Sequence, residues 1–316
     1  MQTVPLALEA GGYSIPAALT LPHGEPRGSV LLIPGSLFVN VDGDFPSWNI
    51  YPRVYAWLAE QLSERGLAVL RFAKIGPGTG SELLDAEAAA NITNWRRRMV
   101  IANAALDRLR AELASRALPT GKVVLAGHSE GSVVASVIAA EGANVDGVVL
   151  LSGPSIGILG IMREQHLAMS PAGAAPEPLA ILDEVIDHIR RQQSFPDALV
   201  ARATGPTGAG ALVTFDEASR NYMRDVDATD PVETIARYGG PVLLVSAGLD
   251  TSVPRHHADA LRAGRAGLPT EAVHFPELQH MYKPVPEGTS PMAAFGLAGP
   301  TDPRVAEAVH RWVQAL

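Results

Sequence analysis

Short apolar segments recur along the chain between stretches of helical periodicity, and this alternation limits the possible folds more than any other feature. Each segment is a near-continuous run rich in Val and Leu, which is typical of strands buried on both faces of a parallel sheet. The segments are "SVLLIPG" (29–35), "LAVLRFA" (67–73), "KVVLAGH" (122–128), "GVVLLSG" (147–153), "PVLLVSAG" (241–248) and "TEAVHFPEL" (270–278). An earlier segment, "YSIPAALTLP" (13–22), has the Pro and polar interruptions expected of an antiparallel edge strand.

Helical periodicity fills the intervals between these strands. From residue 94 to residue 118, apolar residues recur at three- and four-residue steps and form one stripe opposite a charged face. Residues 52–65 have the same pattern, the segment after Ser129 predicts another helix, and residues 303–312 predict a last one that begins at a proline. Strands that alternate with helices predict a doubly wound α/β sheet.

The region 155–238 breaks this alternation. It contains helical segments separated by the Ala-, Pro- and Gly-rich stretches "SPAGAAPEP" (170–178) and "ATGPTGAGA" (203–211), which resemble hinges. An insertion between core strands is expected to lie over the carboxyl ends of the strands, where open α/β sheets bind ligands. The sequence therefore predicts a core of residues 1–154 and 239–316 with a helical cap, or lid, at 155–238.

Charge and composition exclude several classes of function. A net charge of −8 argues against a nucleic-acid groove, and the triplet Arg96-Arg97-Arg98 is predicted to be the solvated face of a helix. The absence of cysteine excludes disulfides, thiolate zinc sites and cysteine nucleophiles. The chain has neither a signal-like N-terminus nor an apolar run of the ~18 residues that a bilayer span needs. We therefore expect a cytoplasmic protein with no membrane or nucleic-acid partner.

The segment "VLAGHSEGSVV" (124–134) places Ser129 in a G-x-S-x-G pattern between a predicted strand and a predicted helix. The pattern alone is weak in a chain with 30 glycines, so its context decides. This context is typical of a nucleophile elbow, in which glycines remove Cβ atoms where the backbones crowd. The turn also puts the backbone N–H of Glu130 at a helix N-terminus, where it can donate to an oxyanion. The alternative is a tight turn in which Ser129 only caps the helix.

A serine nucleophile needs a base, and the base needs an orienting carboxylate. Asp250 follows the predicted strand 241–248 and His280 follows the predicted strand 270–278, both downstream of Ser129. The three residues form the predicted catalytic triad. The alternatives are an Asx turn or helix cap for Asp250 and a surface role for His280.

The other histidines fit a catalytic role less well. His274 lies inside a predicted strand, and His128 is predicted to pack beside the serine. The adjacent His256 and His257 diverge by ~100° on a helix and do not form the i, i+4 pair of zinc proteases. The sequence therefore predicts no metal site.

Three stretches resemble motifs of the α/β-hydrolase superfamily and, within it, of bacterial carboxylesterase-like enzymes related to the serine aminopeptidase group. "PGSLFVNVDGDFP" (34–46) is similar to an oxyanion segment of the form "GSGxxDRDG". "YAWLAEQLSERGLAVLRFAKIGPG" (55–78) is similar to a helix and strand ending in "LAERGIAVLRYDKRG", and "QHMYKP" (279–284) to a late "NHxFKP". The resemblance covers nearly the whole chain, is loose across the cap, and implies the α/β-hydrolase fold.

The resemblance also implies roles for individual residues. Ser129 is then the nucleophile, His280 the general base and later the acid, and Asp250 the residue that holds the imidazole. The second oxyanion donor is the backbone N–H of Ser36, in "IPGS", with Leu37 as the alternative.

This sequence departs from the family pattern near the predicted oxyanion donor. "GSGxxDRDG" reads "GSLFVNVDGD" here, which adds Leu37 and Phe38, and the usual Asp of "RYDKRG" is Ala73. These differences predict a more apolar acyl pocket that includes Leu37 and Phe38, with His128 as a further pocket residue. Lys283 is predicted to be a structural or pocket-rim cation.

The predicted function is a serine hydrolase that cleaves a small-molecule carboxylic ester through an acyl-enzyme and needs no cofactor. The same triad also suits acyl transfer, amide or peptide cleavage, or hydrolysis of a carbon–carbon bond, because the cap and pocket decide which group is admitted. A non-catalytic ligand-binding protein on the same scaffold is a less favoured alternative.

Overall fold

The computed structural model describes residues 1–169, 176–204 and 209–316. Two segments of the predicted hinge stretches, residues 170–175 and 205–208, lie outside the described residues.

The described residues form one nine-stranded sheet. Its strands are β1 (Gln2–Ala10), β2 (Tyr13–Leu21), β3 (Gly28–Ile33), β4 (Leu67–Phe72), β5 (Glu82–Leu83), β6 (Lys122–His128), β7 (Gly147–Leu151), β8 (Val242–Ala247) and β9 (Thr270–Phe275). They lie in the order β1-β2-β4-β3-β6-β7-β8-β9, with β5 paired to β2. The β1, β2 and β5 pairings are antiparallel, and all pairings among the other strands are parallel. The predicted doubly wound, mostly parallel sheet is confirmed.

Helices fill the connections between the strands. They are α1 (Val54–Glu64), α2 (Ala86–Ala90), α3 (Asn94–Ser115), α4 (Glu130–Ala140), α5 (Ile158–Met169), α6 (Glu177–Arg190), α7 (Asp197–Ala203), α8 (Gly210–Thr214), α9 (Glu217–Asp227), α10 (Pro231–Ala236), α11 (His256–Gly264), α12 (Pro291–Phe295) and α13 (Pro303–Ala315), with a short 3-10 turn at Pro46–Trp48. Local chemistry fixes several helix starts. The Thr93 hydroxyl accepts the Arg96 N–H at the start of α3, and the Asp302 carboxylate accepts the Arg304 N–H at the start of α13.

The central strands are buried along their whole length. Every residue of β3, β4 and β8 is buried, as the continuous Val and Leu runs predict for strands covered on both faces. The parallel strands end in register: Ile33 of β3 pairs with Gly127 of β6, and Ala247 of β8 pairs with Phe275 of β9. The loops that follow these strands therefore meet at one edge of the sheet, where α/β folds bind ligands.

Two sequence predictions are wrong in detail. The segment 13–22 is antiparallel but not an edge strand, because β1 pairs along its whole length. Pro16 is accommodated because the pairing of β2 with β4 begins at Ala17, so Pro16 has a strand partner only in β1. The Arg triplet is not a solvated face: Arg97 and Arg98 are buried and only Arg96 is exposed. Their guanidinium groups are buried because they bind carbonyl and carboxylate oxygens.

The chain divides into two compact units, one formed by Met1–Ser155 and Pro231–Leu316 and the other by Ile156–Asp230. The first contains the sheet. The second is helical and has its own apolar cluster, which includes Leu159 of α5, Val185 of α6 and Leu199 of α7. That the segment 155–238 acts as a lid stays a prediction.

None of the helices in the described parts of the chain combines the length and the apolar character that crossing a bilayer requires.

Candidate active site

Ser129 lies in a strained turn between β6 and α4. Its backbone φ is 54° and its ψ is −126°, a backbone conformation that residues other than glycine rarely adopt. A Cβ atom at Gly127 would overlap the Gly131 carbonyl, and one at Gly131 would overlap the Ile33 carbonyl. Both glycines of the motif are therefore required by close backbone contacts, as a nucleophile elbow demands.

His280 and Asp250 are brought together by the loops after β9 and β8. His280 Nδ1 lies 2.8 Å from Asp250 Oδ2, and the Asp250 side chain is fully buried. The other carboxylate oxygen accepts the backbone N–H groups of Ser252 and Val253 at 2.9 and 2.8 Å. Asp250 thus forms the turn expected of an Asx residue and also orients the imidazole.

The charge state of Asp250 follows from these contacts. Burial alone would raise its pKa. The nearby His280 and the hydrogen bonds from His280, Val253 and Ser152 outweigh burial and hold the pKa below its usual value. Asp250 is therefore ionised at neutral pH and can stabilise an imidazolium.

The His280 imidazole packs against the residue that precedes Ser129. The ring centroids of His128 and His280 are 4.7 Å apart. Because Nδ1 binds Asp250, Nε2 is the ring nitrogen that the carboxylate does not engage. The described residues contain no hydrogen bond between the Ser129 hydroxyl and His280, a contact that often tightens only when substrate binds.

The segment after β3 lies against Ser129. A Cβ atom at Gly35 would be 3.1 Å from the Ser129 Cβ, so the glycine allows the close approach. Ser36 follows, and then Leu37, which has a φ of 68°. Leu37 and Phe38 are exposed, and Phe38 packs its ring over Gly76.

A buried hydrogen-bond chain connects the three loops of the site. The backbone N–H of Gly35 donates to the Tyr55 hydroxyl at 2.8 Å, and that hydroxyl lies 3.1 Å from His128 Nδ1. His128 Nε2 lies 3.0 Å from the backbone carbonyl of His280. A carbonyl only accepts, so Nε2 carries the proton, Nδ1 is the acceptor and Tyr55 donates to it.

His128 is held neutral in this chain. Burial, followed by the charge of His280, lowers the pKa of His128 to about 3. Both ring nitrogens bind groups of the protein and the side chain is buried. Its contacts are therefore those of a buried connection rather than of a pocket wall.

A buried charge cluster surrounds the carboxylate of Glu130, the residue that follows Ser129. The Glu130 carboxylate is 3.1 Å from Lys74 Nζ and 3.3 Å from Arg98 Nη2, and it accepts the Ser36 hydroxyl at 3.2 Å. Burial lowers the pKa of Lys74 to about 8, although Glu130 acts in the opposite direction.

Two buried side chains support the histidine loop. The Tyr282 hydroxyl donates to the Val245 carbonyl at 3.1 Å and lies 3.0 Å from the Ser152 hydroxyl. Lys283 donates to the backbone carbonyls of Pro52 and Leu297, each at 2.6 Å, so its contacts are structural.

Sequence reasoning missed Tyr55, Lys74 and Arg98 as parts of this site. Lys74 and Tyr55 lie within the stretch 55–78, which resembles an α/β-hydrolase motif. This resemblance could have indicated that both residues belong to the site. Arg98 had no signal beyond its position in a helix.

Comparison with known proteins gives the family. The alpha/beta hydrolase family model matches residues 30–295. A search among curated proteins gave no significant match.

Solved structures of similar fold include the esterase domain of a Rhodothermus marinus protein, with 16% identity, a TM-score of 0.57, and coverage of 100% of this chain and 99% of that chain. A Lactobacillus plantarum carboxylesterase has 12% identity and a TM-score of 0.58, with coverage of 100% and 98%. A Mycobacterium smegmatis proline iminopeptidase has 14% identity and a TM-score of 0.57, with coverage of 99% and 98%. These likenesses concern the fold, and the family match covers most of the chain: this protein belongs to the alpha/beta hydrolase family.

Proposed function

We propose that this protein is a serine hydrolase that cleaves carboxylic esters through an acyl-enzyme. The observation that carries the proposal is the hydrogen bond of 2.8 Å between buried Asp250 and His280, at the same edge of the sheet as the strained turn of Ser129. A buried carboxylate that fixes one imidazole nitrogen leaves the other to take a proton, which is what a serine nucleophile requires.

The first half of the reaction forms the acyl-enzyme. His280 Nε2 takes the proton from the Ser129 hydroxyl as its oxygen attacks the ester carbonyl carbon. The carbonyl oxygen becomes an oxyanion, which accepts the backbone N–H groups of Glu130 and Ser36. The carbon–oxygen bond to the leaving alcohol then breaks, and the alcohol takes the proton from His280.

The second half releases the acid. A water molecule attacks the acyl carbon while His280 Nε2 takes one of its protons, and the same two N–H groups bind the new oxyanion. The bond to the Ser129 oxygen breaks, the serine regains its proton from His280, and the carboxylic acid leaves. Asp250 stays ionised throughout and stabilises the transient imidazolium.

Active-site labelling tests the nucleophile directly. The intact protein should react with a fluorophosphonate probe and hydrolyse p-nitrophenyl esters, whereas Ser129→Ala should do neither. His280→Ala should lower ester turnover by at least about 10³-fold. Ser115→Ala, which removes an exposed serine of α3, is the matched control and should behave as the intact protein. Equal labelling of Ser129→Ala and the intact protein would reject the assignment.

The leaving group needs its own test, because similar folds occur in esterases and in a proline iminopeptidase. We expect p-nitrophenyl esters to be cleaved much faster than prolyl p-nitroanilide. Faster cleavage of the anilide would make the protein a peptidase with the same residues in the same roles. Esters of graded acyl length, assayed with and without an acceptor alcohol, would then define the acyl pocket and detect acyl transfer.

A further inference from the structure

The two proposed oxyanion donors belong to residues whose side chains bind each other. Ser36 lies in the segment after β3, and Glu130 is the first residue of α4. The Ser36 hydroxyl donates to Glu130 Oε2 at 3.2 Å. The distance between the two backbone N–H groups is thus constrained by a side-chain contact that spans separate elements.

The Glu130 carboxylate is itself fixed by two cations. It is almost fully buried, with Lys74 Nζ at 3.1 Å and Arg98 Nη2 at 3.3 Å from Oε1. A buried carboxylate is strongly unfavourable unless it is paired, so these contacts hold it in one place. Lys74 follows β4 and Arg98 lies in α3, so the site is fixed by two further elements.

Arg98 also contacts the segment that carries Ser36. Its Nη2 donates to the backbone carbonyl of Pro34 at 2.5 Å. Pro34 and Ser36 lie on either side of Gly35, the residue that packs against Ser129. Arg98 therefore connects the carboxylate and the donor-bearing segment in one network.

The network has an electrostatic consequence as well. An isolated carboxylate this near the oxyanion would repel the charge that develops there. Two cations and one carboxylate give the group a formal charge of +1, which removes this repulsion and favours the oxyanion.

We propose that Lys74, Arg98 and Glu130, here called the Glu130 cluster, act through Ser36 to position the two oxyanion donors and to keep their surroundings positive. These are positioning residues, since none of them is assigned to touch the substrate through its side chain. The inference rests on the proposed function, because it presumes that the Ser36 and Glu130 N–H groups bind an oxyanion.

Ser36→Ala tests the positioning step because it removes the hydroxyl and keeps the backbone N–H. We expect kcat for a p-nitrophenyl ester to fall about tenfold, less than the loss of a whole oxyanion donor, with KM changed less than about twofold. Ser63→Ala is the matched control, since the described residues give its buried hydroxyl no hydrogen-bond partner. A kcat of Ser36→Ala within twofold of the intact protein would overturn the proposal.

The pH dependence of kcat tests the charge of the cluster. The charges of Glu130 and Arg98 act on Lys74, and the same two charges act on the buried Tyr55 hydroxyl. Arg98 stays charged, and burial raises the pKa of Tyr55, so neither changes state near pH 8. Lys74, with a pKa lowered to about 8, loses its charge as the pH rises through that value.

Two substitutions of Lys74 separate charge from structure. We expect kcat of the intact protein to fall above pH 8, and Lys74→Arg to retain a plateau there because arginine does not deprotonate. Lys74→Met should have a kcat about tenfold lower at pH 7 and no decline near pH 8. Lys122→Met, at an exposed ion pair, is the control and should keep the profile of the intact protein.

The outcomes distinguish the two proposals. Identical pH profiles for the intact protein and Lys74→Arg would overturn the role of the cluster, and this comparison does not depend on Lys74→Met being folded. If the intact protein lacks turnover and labelling that depend on Ser129, the proposed function itself fails. If it has both and Ser36→Ala is unaffected, only the inference about the cluster fails.

Discussion

At the scale of single residues, Asp250 determines which nitrogen of His280 carries a proton. Its carboxylate only accepts hydrogen bonds while ionised, so His280 Nδ1 must donate and Nε2 is left unprotonated. Asp250→Asn would move the proton from Nδ1 to Nε2, because the amide NH₂ donates to Nδ1, which must then be the unprotonated nitrogen. The imidazole would then be unable to take the serine proton.

We therefore expect Asp250→Asn to lower kcat for ester hydrolysis by about 10⁴-fold. The asparagine oxygen can still accept the backbone N–H groups of Ser252 and Val253, so the protein should remain folded, as a circular dichroism melt would verify. Asp259→Asn, at an exposed position of α11, controls for the loss of a carboxylate. Turnover within tenfold of the intact protein would remove Asp250 from the proposed triad.

Leu37 is a second residue whose conformation invites a functional explanation. Its φ of 68° lies in the left-handed region, which costs a residue with a Cβ atom roughly 1–2 kcal/mol, and its side chain is exposed rather than part of the core. Packing of the core does not account for a leucine here. We expect its side chain to make an apolar contact with a bound ester instead.

Leu37→Gly should therefore leave the free energy of unfolding unchanged or higher, because relief of backbone strain offsets the flexibility of glycine. Leu84→Gly, at an exposed leucine without positive φ, should lose about 1 kcal/mol in the same urea titration. We also expect the KM of Leu37→Gly to rise more for p-nitrophenyl octanoate than for the acetate. Equal losses of stability in both variants would show that Leu37 is not strained.

At the scale of elements, Tyr55 connects helix α1 to the loops after β3, β6 and β9. Its hydroxyl is the common partner of Gly35 N–H and His128 Nδ1, and His128 continues the chain to the carbonyl of His280. Removing this hydroxyl would leave a buried N–H donor and a buried ring nitrogen without a partner.

Tyr55→Phe should lower the free energy of unfolding by about 1–3 kcal/mol, the cost of an unsatisfied buried polar group. It should also lower kcat, because two loops of the site lose their common support. Tyr238→Phe is the matched control, since the described residues give its hydroxyl only a long contact of 3.4 Å, with the Val145 carbonyl. Paired urea unfolding and ester kinetics give both quantities, and unchanged values for Tyr55→Phe would exclude the supporting role.

At the scale of the whole molecule, the sequence predicts the sheet more completely than it predicts the site. Val and Leu runs reveal the buried strands because burial on both faces leaves few polar positions in them: β3, β4 and β8 each contain one, at Ser29, Arg71 and Ser246. The contacts of Arg98 and Lys74 with Glu130 leave no such pattern, because they join residues that are distant in sequence. A charged residue in a helix is usually solvated, so the burial of Arg97 and Arg98 depends on partners that only the folded chain supplies.

The stability of the molecule toward acid should depend on His128. Burial lowers its pKa to about 3 in the folded protein, whereas an unfolded histidine titrates near 6.5. Between these values the unfolded chain binds one proton more, so stability is highest above pH 6.5 and falls as the pH drops toward 3, by at most about 1.4 kcal/mol per pH unit from this group. In urea titrations from pH 8 to pH 4, His128→Gln should make the free energy of unfolding depend less steeply on pH below pH 6.5. Its dependence on pH above 6.5 should stay unchanged. Parallel slopes for the two proteins would mean that His128 is protonated in the folded state and that the Tyr55–His128 hydrogen bond is not as described.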